Sequence, residues 1–194
     1  RRIKSFKGIT SLHDLESTTD AAFSLEANTW TCSNCPGPKY YNCNGAFILG
    51  GYGSWAGLST SSNGHYFQKT YTGLPPHNQV NISMTIYALD SWDAPTPPDK
   101  FAVEVAGVSF SGWELVLYRS PTPLVNYCGA GYGDFPPFTM YIYMPHTSSS
   151  LTIKLISLLT EGTGNESLGM RDLIIKFVEL TSPEQRSCGI SPVS

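Results

Sequence analysis

The chain has 194 residues, enough for one well-buried domain and awkwardly few for two. Apolar residues make up 41% of it and charged residues only 14%, against roughly 25% charged in an average globular domain, so a disordered chain is excluded. A net charge of -3 gives no footing for nucleic acid, which selects clustered Lys and Arg, and no apolar run approaches the ~20 residues that would insert in a membrane.

Residues 1–20, "RRIKSFKGITSLHDLESTTD", open on a basic cluster of Arg1, Arg2, Lys4 and Lys7. Ile3, Phe6, Ile9, Leu12 and Leu15 recur every third residue, a weak pattern that suits an extended arm or a short helix. No signal peptide is visible, which for a secreted protein implies the mature form. The expected division is an N-terminal arm over 1–27, a β-sandwich domain over 28–182 and a C-terminal tail over 183–194.

From there period-two alternation dominates. Strands are predicted over 21–27, 46–52, 65–71, 79–89, 100–110, 113–119, 138–144, 151–159 and 173–180. Between them lie turn-forming stretches such as "GLPPHN", "APTPPD" and "GAGYGDFPP". Many short strands with Gly/Pro turns predict an all-β antiparallel sandwich, a jelly roll, without repeats.

Five cysteines point to an oxidising compartment. Cys32, Cys35 and Cys43 cluster, whereas Cys128 and Cys188 stand apart. A zinc site would need a second ligand pair, and a thioredoxin-like motif would not continue into Pro36, Gly37 and Pro38, so disulfides are expected with their connectivity open. Two sequons, Asn81-Ile82-Ser83 and Asn165-Glu166-Ser167, are candidate sites for N-linked glycans. In "QVNISMTIYAL" the alternation turns Asn81 outward, and Asn165 lies in the loop "EGTGNES".

Catalytic patterns are weak. "GYGSWAG" has Tyr52 where a nucleophile elbow needs its first glycine, and His13, His65, His77 and His146 are scattered. Asp90, Glu104, Asp134 and Glu166 offer carboxylates, but no two are singled out as a hydrolytic pair. The chain is therefore read as no enzyme. The stretch "IYALDSWD" runs a strand into Asp90 and Asp93, with Trp92 between them. The aspartates are either turn residues or oxygen ligands for Ca²⁺, with Glu166 and Asp172 as further ligands, though Arg171 could pair with one of them instead. Aromatic residues amount to 12% of the chain. Trp55, Trp92, Trp113 and Tyr132, with Tyr52 and Tyr141, are candidates for stacking on sugar rings, with core packing as the competing role.

The segments "AFILGGYGSW", "QKTYTGLPPHNQVNISMTIYALDSWD", "HTSSSLTIKLIS" and "ESLGMRDLIIKF" resemble a lectin-like β-sandwich module of ciliate secreted and surface proteins. "GMRDLIIKF" is also loosely similar to the last strand of the calcium-bearing jelly roll in MAM domains. The resemblance implies an extracellular or cell-surface, disulfide-bonded, non-catalytic module used in adhesion or assembly, with Asp90, Asp93 and Asp172 as its calcium positions. Two functions are expected. The first is a glycoprotein protomer of a filament or cell-surface coat, which polymerises with itself, head to tail, as residues 1–27 add a strand to the next subunit. The alternative is a calcium-dependent carbohydrate-binding adhesion module.

Overall fold

Alternating inward and outward side chains build most of the molecule. The structure, a computed structural model, describes residues 2–6, 9–33, 35, 37–54, 65–92, 99–109, 125–129, 131 and 133–179. Asp93, Trp55, Trp113, Tyr132, Cys188, the strand expected over 113–119 and the tail over 183–194 lie outside the described residues. The elements begin with β1 (Arg2–Phe6), β2 (Ile9–Asp14), α1 (Asp20–Asn28), β3 (Thr31–Cys32), β4 (Tyr40–Cys43) and β5 (Ala46–Gly50). They continue with β6 (His65–Thr72), β7 (Gln79–Asp90), β8 (Lys100–Val105), β9 (Val108–Ser109), β10 (Phe138–Pro145), β11 (Ser150–Leu158) and β12 (Glu166–Val178).

Two antiparallel sheets face each other, the sandwich that the alternation predicts. The seven-stranded sheet is organised on β12. Along one side it pairs with β7, and β10 lies outside β7. Its other side is shared: β5 and then β4 lie against Gly169–Met170, whereas β2 and then β1 lie against Leu173–Val178. The five-stranded sheet runs β3-β6-β11-β8-β9. Val80, Ile82, Met84, Ile86 and Ala88 of β7 meet Leu151, Ile153 and Leu155 of β11 and Phe101, Val103 and Val105 of β8 in one dry core, each at most 1% exposed.

β12 changes phase partway. Leu168 and Met170 face the core, and so do Leu173, Ile175 and Phe177, because Asp172 is an extra residue at a bulge between Arg171 and Ile174. Asp172 has φ of 51°, and its N–H donates to the Leu15 carbonyl at 3.0 Å, where β5 gives way to β2. The strand expected over 100–110 is likewise broken in two. Ala106 and Gly107, with φ of 51° and 79°, make a tight turn between β8 and β9.

The N-terminal arm departs most from expectation. Residues 21–27 are helical, as part of α1, so the inter-subunit strand expected there does not exist as a strand. The apparent Phe23/Leu25 alternation misleads: Phe23 and Ala27, four apart, are buried on one helical face, whereas Leu25 is 73% exposed. Ala, Leu and Glu favour helix, and the Thr29 hydroxyl closes the end by donating to the Glu26 carbonyl at 2.6 Å. β2 lies between β1 and β12 of its own chain and buries Leu12, so this half of the arm is part of the sandwich. β2 also carries Asp14, whose carboxylate reaches across the interior to accept from Lys69 Nζ and, at 2.7 Å, from the Tyr71 hydroxyl on β6. A polar bridge thereby joins the two sheets.

Candidate functional site

Asp90 ends β7 in a left-handed conformation (φ 65°), fully buried, and is the cross-strand partner of Glu166 at the start of β12. Its N–H donates to Asp134 Oδ1 at 2.6 Å, and Asp134 Oδ2 accepts from Tyr127 N at 2.6 Å and Cys128 N at 2.9 Å. Asp134 thus pins Tyr127 and Cys128 to the strand end. A Cys43–Cys128 disulfide ties the same residues to β4, while Cys32 pairs locally with Cys35. Trp92 is 2% exposed, donates from Nε1 to the Ser167 carbonyl at 2.9 Å and meets Phe101 edge-on. It is a core residue, and its expected role as a sugar-stacking platform is corrected accordingly: the β7 end turns the indole inward to satisfy its N–H.

At the start of β12, two carboxyl groups share a donor. The Thr160 N–H is shared between Asp99 Oδ1 (3.1 Å) and Glu166 Oε2 (3.2 Å), and Glu161 N adds a second donor to Glu166 Oε2 at 3.1 Å. Burial first, then the hydrogen bond to Asp99 and its charge, push the Glu166 carboxyl up to about 8. Glu166 is therefore protonated at neutral pH. Its Oε1 is buried and makes no hydrogen bond.

This geometry does not suit the calcium set expected from Asp90, Glu166 and Asp172. Asp90 and Glu166 are brought together, but Asp172 lies six residues further along β12, roughly 20 Å at strand rise. Its side chain is 42% exposed and accepts from Arg171 Nε at 3.0 Å, the ion pair that competed with the metal role. Among the described residues, no group of three or more His, Cys, Asp or Glu side chains is placed to hold a metal ion.

A second surface does carry the features of a binding site. The outward phase of β10, β7 and β12 lies on the solvent side of the seven-stranded sheet. Tyr141 and Tyr143 of β10 are 54% and 64% exposed, whereas Met140 and Ile142 between and beside them are buried. Cross-strand, Tyr141 is registered with Ser83 and Tyr143 with Asn81, and Lys176 of β12 lies across from Asn81. These side chains line an open depression of about 100 Å³. Residues two apart on a strand have Cα atoms roughly 7 Å apart and side chains on one face, which sets both tyrosines beside amide, hydroxyl and ammonium groups. Tyr141 was among the sequence candidates; Tyr143 was not, although its alternation with Met140, Ile142 and Met144 was the available signal. Tyr52 packs edge-on against Tyr41 and is half-buried.

Two histidine arrangements were invisible in the sequence. His77 Nδ1 donates to the Pro75 carbonyl (2.6 Å), which leaves its Nε2 to accept from His146 Nδ1 at 2.7 Å in a buried, stacked pair. Burial, then the neighbouring His77, lower the His146 pKa below its ordinary value. On β2, the chain Ser11 Oγ–His13 Nε2 (3.0 Å) and His13 Nδ1–Glu16 Oε1 (2.6 Å) borders a polar cavity of about 350 Å³ against α1. Its connectivity is that of a nucleophile–base–carboxylate relay. Ser11 sits mid-strand, with β1 on one side of it and β12 on the other. The chain fixes the corner between β2 and α1.

No protein-family model matches the chain, and no curated protein matches it. Among solved structures it is similar to the CBM36-1 domain of a multidomain xylanase from the hindgut metagenome of Trinervitermes trinervoides, at 14% identity and a TM-score of 0.39, over 77% of this chain and 91% of that one. The CBM22-1 xylan-binding domain of Paenibacillus barcinonensis Xyn10C gives 13% identity and a TM-score of 0.39, over 88% and 94%. A cleaved adhesin domain of Lys-gingipain from Porphyromonas gingivalis gives 9% and 0.43, over 76% and 91%. At these scores the likenesses say nothing of ligand or activity.

Proposed function

We propose that the protein is a lectin-like module of the secreted or cell-surface kind, which binds carbohydrate on the outer face of its seven-stranded sheet. The observation that carries this reading is the exposed pair Tyr141 and Tyr143, set beside Asn81, Ser83 and Lys176 in one shallow depression. A pyranose ring offers a C–H face to an aromatic ring and a rim of hydroxyls to amide, hydroxyl and ammonium groups, which is the mixture of surfaces present here. Two disulfides suit an oxidising compartment. Self-assembly through residues 1–27 forms no part of this reading: β2 is paired within its own sheet and residues 21–27 are helical. The test is a panel of immobilised oligosaccharides followed by titration calorimetry on the best ligand. Tyr141→Ala and Tyr143→Ala should each weaken binding about tenfold or more while Tm stays put, since both rings are largely in water. Retained affinity in both variants would place the sugar elsewhere.

A further inference from the structure

The depression holds its own glycosylation sequon. Asn81-Ile82-Ser83 crosses its floor, and Asn81 and Ser83 are both among its lining residues. Asn81 is the direct cross-strand partner of Tyr143, which puts the two Cβ atoms about 5 Å apart. Gln79 Nε2 donates to Asn81 Oδ1 at 2.7 Å. That contact holds the amide by its oxygen and turns Nδ2, the atom that would carry a sugar, away from Gln79. The most exposed of the nearby rings is Tyr143 itself.

We propose that Asn81 is N-glycosylated and that its first sugar lies on Tyr143 and Tyr141, so that the modification fills the platform and masks it from free carbohydrate. The chemistry is the ordinary transfer from a lipid-pyrophosphate-linked oligosaccharide by a secretory-pathway transferase. Asn81 Nδ2 attacks C1 of the reducing-end sugar, the N–C1 bond forms as the C1–O bond to pyrophosphate breaks, the amide proton passes to a base of the transferase and the lipid pyrophosphate leaves. Transfer precedes folding; when β7 and β10 pair, the attached ring is delivered onto the neighbouring tyrosines. The masking half of this inference rests on the sugar-binding reading above, and the stacking half does not. It makes binding conditional: unmodified chains present an open face, and modified chains a closed one.

The test uses the full chain from two hosts, a glycosylating secretory host and an oxidising bacterial periplasm that does not glycosylate. Both carry Ser167→Ala, which removes the second sequon at the cost of a buried hydroxyl that makes no hydrogen bond. Peptide mass spectrometry should find Asn81 occupied in the first preparation. Proton NMR should find the N-acetyl methyl of the linked sugar shifted upfield by ring currents, and Tyr143→Ala should return it to its free position. The oligosaccharide panel should bind the unmodified protein at least tenfold better than the modified one. An empty Asn81, an unshifted methyl, or sugar bound equally tightly by both forms would each overturn the proposal. A shifted methyl with no sugar bound by either form would keep the stacking, and would instead sink the sugar-binding reading.

Discussion

Glu166→Gln is the substitution that separates a protonated carboxyl from a cation ligand. Burial and the neighbouring Asp99 push the Glu166 carboxyl from 4.5 up to about 8 in the folded protein. Because the folded pKa lies above the unfolded one, Glu166 contributes its full stability below about pH 4.5 and loses it progressively as pH rises towards 8. The two proton affinities differ by roughly 3.5 powers of ten, on the order of 5 kcal/mol in full, of which on the order of 3 kcal/mol is already lost at pH 7. Glutamine cannot ionise, keeps an oxygen for the Thr160 and Glu161 N–H groups, and offers its NH₂ to Asp99. The variant should therefore be more stable than the parent at about pH 7, by roughly 3 kcal/mol or about 6–12 °C in Tm for a domain of this size, and by more at about pH 8. Urea unfolding at about pH 5, 6, 7 and 8 is the assay, run with calcium and again with chelator. The parent should lose stability across that range and the variant should not, and neither should respond to chelator. A variant less stable than its parent at pH 8, with calcium stabilising only the parent, would refute the reasoning and make Glu166 an ionised metal ligand.

Asp14→Ala should be among the most damaging single changes, since it strips the acceptor from Lys69 and Tyr71 inside the sandwich. Loss of one partner of a buried pair costs about 3–5 kcal/mol, which thermal unfolding would register as a fall in Tm of roughly 10 °C. At Gly129, φ is 109° and an added Cβ would stand 2.5 Å from Asp90 Oδ2, so Gly129→Ala should cost about 2 kcal/mol or more. Gly73→Ala, at φ 67° with open space around it, should cost only the backbone term of about 1 kcal/mol, and equal losses at the two glycines would discount the Asp90 contact. His146, with its pKa lowered by burial, stabilises the fold above about pH 6.5 and withdraws that contribution as pH falls through its folded pKa. His146→Gln should flatten the acid side of the stability profile, and an unchanged acid limb would mean that the His77–His146 pair opens without cost.

Much of the fold was legible because inward phase is cheap to read. Val80, Ile82, Met84, Ile86 and Ala88 alternate without interruption over one strand, and β7 stands where the sequence puts it, one residue longer. Legibility fails where a residue breaks phase. "ESLGMRDLIIKFV" shows two alternations offset by the bulge at Asp172, so only its second half reads as a strand, although the whole forms β12. "AAFSLEA" fails differently: seven residues fit either period, and what decides for helix is Phe23 and Ala27 closing over the sandwich mouth, a tertiary fact.

The functional residues are less legible for a related reason. Outward phase carries no packing constraint, so Tyr141 and Tyr143 look in sequence like any strand aromatics, and their meaning comes from Asn81 and Ser83 standing opposite them on a strand some sixty residues earlier. Trp92 misleads in the converse way, because a tryptophan flanked by aspartates suggests a site until its N–H is seen donating into the core. The acidic residues at that end make structural contacts: Asp134 accepts from three backbone N–H groups, and the Glu166 carboxyl accepts from those of Thr160 and Glu161. A site on a sandwich is thus best sought where aromatic rings stay in water while their strand neighbours are buried, and among the described residues that rule points to the face of Tyr141 and Tyr143, the same one that offers Asn81 for modification.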